Sequence, residues 1–241
     1  MLLVLDAALA ACGVAVLSDP ETVLAHQLVP MARGQGEALV PLAQDCIAEA
    51  GLRPQDLTAI AVTIGPGSFT GIRVGISAAK GFAVALDLPV LGIRVTDALA
   101  ASPPLTSPVV VGLDSRRGDV FLACHRNSAL HAVRQGLPLP APEACPLDAL
   151  AAKVHNWTVT QDNIGTPESE AALPRFVGDS DAAWEVLVAA GCVAPDRGPT
   201  LADPRSIGAL ALTLGPEHCQ APTPLYLRAP DAVVPPGIMT R

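Results

Sequence analysis

The sequence predicts an α/β fold, and three features predict it. Three short apolar runs stand close together at the start, Met1–Leu5, Gly13–Leu17 and Leu24–Met31, as a meander of antiparallel strands requires. Leu39, Leu42, Ala43, Cys46, Ile47 and Ala50 then recur at helical spacing. Ala59–Ile64 follows as a near-continuous apolar run, the mark of a strand buried on both faces. Meander, helix, strand, helix and strand in that order make a layered α/β domain.

The meander places Asp6 at the end of its first strand. Pro41 fits the first turn of the first helix, and Gly51 stands where a C-terminal cap belongs. Gly65-Pro66-Gly67 breaks the buried strand, a second helix runs from about Ser68 to Leu86, and Pro89–Ile93 is the next strand. Thr96–Ala101 reads as a short helix. The Pro-rich Ser102–Pro108 marks a lobe boundary, giving an N-terminal lobe over 1–101 and a smaller, divergent second lobe over 102–241. Val109–Leu113 and Val120–His125 are strands flanking Asp114–Asp119. Pro138, Pro140, Pro142 and Pro146 exclude regular structure where they fall. Phe176–Val177 is a short strand, Ala182–Ala190 and Ile207–Leu214 are helices, and Pro224–Pro236 is an extended tail.

Composition limits the function. The 241 residues carry a net charge of −8, so this chain alone offers no basic face to nucleic acid. Aromatic residues are 3%, too few for a base-stacking platform. Charged residues are only 16% and mean hydropathy is positive, which excludes a disordered chain. Six widely spaced cysteines form no CxxC pair and read as free thiols of a cytoplasmic protein. Leu9-Ala10-Ala11-Cys12 imitates a lipoprotein cleavage box, but Asp6 interrupts the apolar run and the first basic residue is Arg33. No uncharged run of about 20 apolar residues suggests a membrane span.

The most informative segment is Gly65–Gly75, GPGSFTGIRVG. Glycines between a buried strand and a helix expose amides that favour anions, so Gly65, Gly67, Ser68 and Thr70 are weak candidates for a phosphate cradle. The alternative is a tight structural turn. The spacing matches neither a Walker A loop nor a dinucleotide fingerprint. Gly71, Gly75, Ala78 and Ala79 line one face of the helix, although each interior Gly costs about 1 kcal/mol relative to Ala. That face either packs tightly on its own sheet or receives a helix of another chain. No HExxH or HxxxH pair and no Gly-x-Ser-x-Gly elbow occurs, and Asp6 lacks positioned catalytic partners. Arg116, Arg117, His125, Arg126, His131 and Arg134 form a locally basic segment that reads as a solvated strand pair.

Gly65–Ala83, GPGSFTGIRVGISAAKGFA, resembles the signature of the TsaB (YeaZ) family, a bacterial component of tRNA threonylcarbamoyladenosine synthesis. Leu3–Asp6, Glu37–Leu42, Asp114–Phe121, Val177–Asp179 and Pro224–Pro230 resemble further family segments in the same order, while 127–175 matches nothing well. The resemblance implies a two-lobed fold of the actin, sugar-kinase and Hsp70 type. It implies a non-catalytic subunit that pairs with TsaD through N-terminal-lobe helices. TsaE joins that pair, and the modified base is adenosine 37 of tRNAs reading ANN codons. ATP and metal are then expected on the partner proteins, and tRNA contact only through the complex. Homodimerisation is expected when the chain is alone, and no membrane association. Leu39, Gly71, Arg73, Gly75, Ala78, Ala79 and Lys80 are the expected interface. Ala7 and Ala8 stand where family members commonly carry hydroxyls, which weakens nucleotide binding by this chain. Two alternatives are an ATPase of the same superfamily and a metalloprotease, the latter lacking a ligand set.

Overall fold

The computed structural model describes residues 1–102, 108–162 and 173–228. Residues 103–107 of the expected lobe boundary and residues 229–236 of the expected tail lie outside them. The first sheet has the order β3-β2-β1-β4-β5, with β1 at Leu2–Asp6, β2 at Ala11–Leu17, β3 at Val23–Pro30, β4 at Ala59–Gly65 and β5 at Val90–Arg94. The first three strands form the expected antiparallel meander, and β4 and β5 add to it in parallel. Every residue of β1 and β2 is buried, because helices cover both faces of the sheet.

On one face lie α1 (Gln35–Glu49) and α2 (Phe69–Leu86). α1 begins earlier than the apolar spacing suggests, so Pro41 lies inside the helix rather than in its first turn. Gly36 and Glu37 are exposed, and an exposed first turn leaves no apolar signature to read. Gly51 adopts a left-handed φ of 71° just beyond the helix, as a C-terminal cap requires. α2 starts at its expected Ser68 cap. It is long and apolar enough to cross a membrane by composition, but one face packs on the sheet.

The second sheet has the order β8-β7-β6-β9, with β6 at Val109–Asp114, β7 at Asp119–His125, β8 at Glu143–Pro146 and β9 at Arg175–Val177. Val109, Val111 and Leu113 continue the core of the first sheet. Val110 points the other way, into a second core with Leu150, Val154, Ala183 and Leu187. Those residues come from α5 (Leu150–Asp162) and α6 (Asp181–Ala189). α3 (Val95–Ala100) joins the two sheets, and α4 (Ala129–Arg134) follows β7.

The structure corrects the sequence reading in two further places. Pro146 sits in a strand after all, because β8 is an edge strand and can lack an amide donor. α7 (Pro204–Leu214) packs back on β1 and β2, with Ile207, Leu210 and Ala211 in the first core. The first lobe is therefore built from both ends of the chain, and a single cut at residue 101 does not describe it. The two-lobed α/β architecture itself is as expected.

Candidate functional site

The β4–α2 loop is closed by its own chain. The Ser68 amide donates to the Ala8 carbonyl at 2.7 Å, and Ser68 Oγ accepts from the Gly71 amide at 3.2 Å. Gly65 is buried, and a Cβ there would lie 2.8 Å from the Leu225 carbonyl oxygen. These contacts are those of a tight structural turn. With the Ser68 and Gly71 amides occupied, Gly65, Gly67, Ser68 and Thr70 offer less to a phosphate than a free glycine loop does.

Asp6 is also used structurally. Its Oδ1 accepts from Thr63 Oγ1 at 2.5 Å and from the Ala8 amide at 3.1 Å, fixing the turn between β1 and β2. Burial pushes its carboxyl above the ordinary range, against those hydrogen bonds. Among the described residues no three His, Cys, Asp or Glu side chains converge as metal ligands. All six cysteines are free, and burial pushes the thiols of Cys12, Cys46 and Cys219 up to about 11 and that of Cys124 up to about 12.

The helix α2 presents two faces, and the expected interface divides between them. Gly71, Gly75 and Ala79 point inward. A Cβ on Gly71 would lie 1.9 Å from the Ala7 carbonyl oxygen, and one on Gly75 would meet Val62 Cγ2 at 3.4 Å. Ala79 and Leu39 are fully buried. These four residues bring α1 and α2 close to their own sheet, so their expected role as contacts for another chain is corrected: tight internal packing accounts for them. Arg73 and Lys80 are exposed and Ala78 is partly so. A second row of small residues, Ser77, Gly81 and Ala85, runs along the exposed side. A Cβ on Gly81 would meet nothing within 4 Å, and Val84 beside it is 87% exposed.

The exposed row leads to an interlobe cleft of about 900 Å³, lined by the α2 N-terminus, Asp114–Arg117, Asp179 and Leu225–Arg228. The Phe69 and Tyr226 rings stack with centroids 5.2 Å apart. The Arg73 guanidinium lies over Phe69 at 3.7 Å, and its Nε donates to the Tyr226 hydroxyl at 2.8 Å. Arg228 pairs with Asp119 at 2.9 Å, which ties the tail to the β6–β7 hairpin. The sequence reading missed this cluster. Its signal was present, since Phe69 lies in the central motif and Tyr226 in the C-terminal one, but nothing in either segment shows that they meet. His125 is a second departure. It is 2% exposed, not part of a solvated strand pair.

Residues 29–161 match the family model described as TsaD: tRNA N6-adenosine threonylcarbamoyltransferase. The chain is 36% identical over 126 residues to the tRNA threonylcarbamoyladenosine biosynthesis protein TsaB of Escherichia coli, covering 51% of this chain and 53% of that one. It is 32% identical over 138 residues to the protein of the same name from Bacillus subtilis, covering 55% and 58%. The chain thus spans a little over half the length of these relatives. A crystal structure of an uncharacterized Pseudomonas aeruginosa protein with similarity to peptidase YeaZ superposes with a TM-score of 0.67. That protein is 25% identical, with 94% of this chain and 99% of that one covered. The motif at the head of α2, the match to the family model and the shared two-lobed architecture agree: the chain belongs to the TsaB (YeaZ) family.

Proposed function

We propose that this chain is the non-catalytic subunit that binds and activates TsaD for threonylcarbamoylation of adenosine 37 in tRNAs reading ANN codons. The observation that carries the reading is the exposed row Ser77, Gly81 and Ala85 on α2, with Arg73, Lys80 and Val84 beside it. Small residues on an exposed helix face allow the backbone of a second helix to approach closely, and flanking basic groups give that approach a polar register. The match to a TsaD-type family model and to TsaB relatives supports a TsaD-family protein as the partner. TsaE joins the pair in this reading, ATP and metal act on the partner proteins, and the complex works in the cytoplasm. The net charge of −8 supports contact with tRNA through the assembled complex rather than through this chain alone. In the absence of TsaD, the same face pairs two copies of this chain.

The test is light scattering coupled to size exclusion on this chain mixed with TsaD of the same organism. A 1:1 complex is expected. Gly81→Leu leaves the isolated chain folded, since its Cβ would meet nothing within 4 Å, and it weakens the complex at least tenfold. No complex with the unaltered chain, or unchanged affinity with Gly81→Leu, refutes the assignment of this face.

A further inference from the structure

A second cavity, of about 530 Å³, opens on the other side of the first lobe, between β5, the turn after α4 and the end of α7. Arg94 and Asp97 lie in its wall together with Val133, Leu137, Leu139 and His218. Arg94 Nε donates to Asp97 Oδ2 at 2.5 Å, with the two side chains 15% and 4% exposed. Behind them His125 Nε2 stands 3.8 Å from Asp97 Oδ1, beyond hydrogen-bonding range. Asp97 Oδ1, both His125 nitrogens and Thr96 Oγ1 are buried without a partner among the described residues. Buried polar atoms are normally satisfied, so the orphaned atoms of Asp97 and His125, facing each other behind the cavity wall, are a feature to be explained.

The balance of donors decides what the cavity takes. A guanidinium has five N–H donors. Nε is the one donor of Arg94 bonded among the described residues, which leaves Nη1 and Nη2 without acceptors. Asp97 cannot serve a ligand in return. Its Oδ2 is occupied and its Oδ1 is closed off toward His125. On this wall the site offers the Arg94 donors, fixed in place by the Asp97 carboxylate behind them, while the polar side chains of Thr213, His218 and Gln220 lie elsewhere in the lining. Val133, Leu137 and Leu139 supply an apolar wall, and the volume lies within the ordinary range for small-molecule sites.

We infer that this cavity binds a small organic anion, a carboxylate on an apolar body, with the Arg94 guanidinium gripping the carboxylate and the Val133, Leu137 and Leu139 side chains covering the body. The site is separate from the exposed face of α2. Hexanoate is the probe, titrated into the full chain and followed by amide chemical shifts. Saturable shifts are expected at Gly92, Gly136 and Leu137, with hexan-1-ol at least tenfold weaker because it lacks the charge. Leu137→Trp fills the mouth from a half-exposed position and abolishes the response, with the unliganded melting temperature unchanged. Arg94→Lys keeps a cation beside Asp97 but loses the fork, and weakens hexanoate at least fivefold. If Arg94→Lys does not fold, Leu137→Trp decides alone. No saturable shift, equal binding of hexanol, or a response that survives Leu137→Trp overturns the inference.

Discussion

The buried pair Asp97 and His125 makes opposite demands on pH, and the two can be separated. Burial pushes the Asp97 carboxyl up to about 6, despite the Arg94 guanidinium beside it. Burial, with Arg94 adding to it, pushes the His125 imidazole down to about 3. The unfolded chain restores ordinary values near 3.8 and 6.5. Folded Asp97 therefore holds its proton more tightly than the unfolded chain does, and its contribution to stability falls as pH rises from about 4 to 6. Folded His125 holds its proton less tightly, and its contribution rises with pH between about 3 and 6.5. Each proton changes stability by about 1.4 kcal/mol per pH unit, so across pH 4 to 6 each side chain contributes on the order of 2 kcal/mol, of opposite sign. Together they leave little net slope. Removing one exposes the other. The difference in unfolding free energy between the unaltered chain and His125→Gln grows by about 2 kcal/mol or more from pH 4 to 6. The difference between the unaltered chain and Asp97→Asn shrinks by about 2 kcal/mol over the same range. Urea denaturation at half-unit pH steps measures both, and titrating groups elsewhere cancel in the differences. Two differences of the same slope, or two flat ones, refute the burial argument for this cluster.

Three further substitutions test the local structure. Gly75→Leu forces a long side chain between α2 and β4, where a Cβ already meets Val62 at 3.4 Å. It destabilises the isolated chain by about 3 kcal/mol or more, seen as a lowered urea midpoint or as insolubility, and a variant of unaltered stability refutes the inward assignment. Ser68→Ala removes the N-cap of α2 and costs about 1 kcal/mol in the same assay, with the slope of the transition unchanged. Tyr226→Ala removes the ring stack and the acceptor for Arg73. Since both groups are partly exposed, about 1–1.5 kcal/mol of local stability is lost. Exchange of the Leu225 amide, bonded to the Ile64 carbonyl, then quickens about tenfold while the global urea midpoint barely moves.

The first lobe was legible because its strands carry their own signal. β1, β2 and β4 are buried on every side, and an unbroken apolar run needs no partner to be recognised. The second lobe was not legible to the same degree. α5 carries Lys153, His155, Asn156 and Thr158 among its apolar residues, so helical spacing stands out poorly there. α4 is six residues long and β8 four, too short for any period to declare itself. Long-range pairings left no trace at all. The return of α7 to the first sheet, the Phe69–Tyr226 stack and the approach of His125 to the Arg94–Asp97 pair join segments far apart in sequence, and spacing along a chain carries no information about such contacts.

The small residues of α2 show why a motif can be recognised before its parts are assigned. Gly71, Gly75 and Ala79 repeat every four residues, and so do Ser77, Gly81 and Ala85. The two rows are six residues apart, which places them about 120° from each other around the helix. Sequence alone does not say which row faces the sheet. The structure does: a methyl group on Gly71 would collide with the Ala7 carbonyl, whereas one on Gly81 would meet nothing. The first row is thus explained by packing within the chain. The second is not. An exposed Gly at mid-helix costs about 1 kcal/mol relative to Ala, and no contact among the described residues offsets that cost at Gly81. On the proposed function, a partner helix that needs the space offsets it. Substituting Gly81 by Ala therefore makes the isolated protein more stable by up to about 1 kcal/mol while the complex becomes weaker. Stability and affinity moving in opposite directions is the signature of a residue kept for a partner.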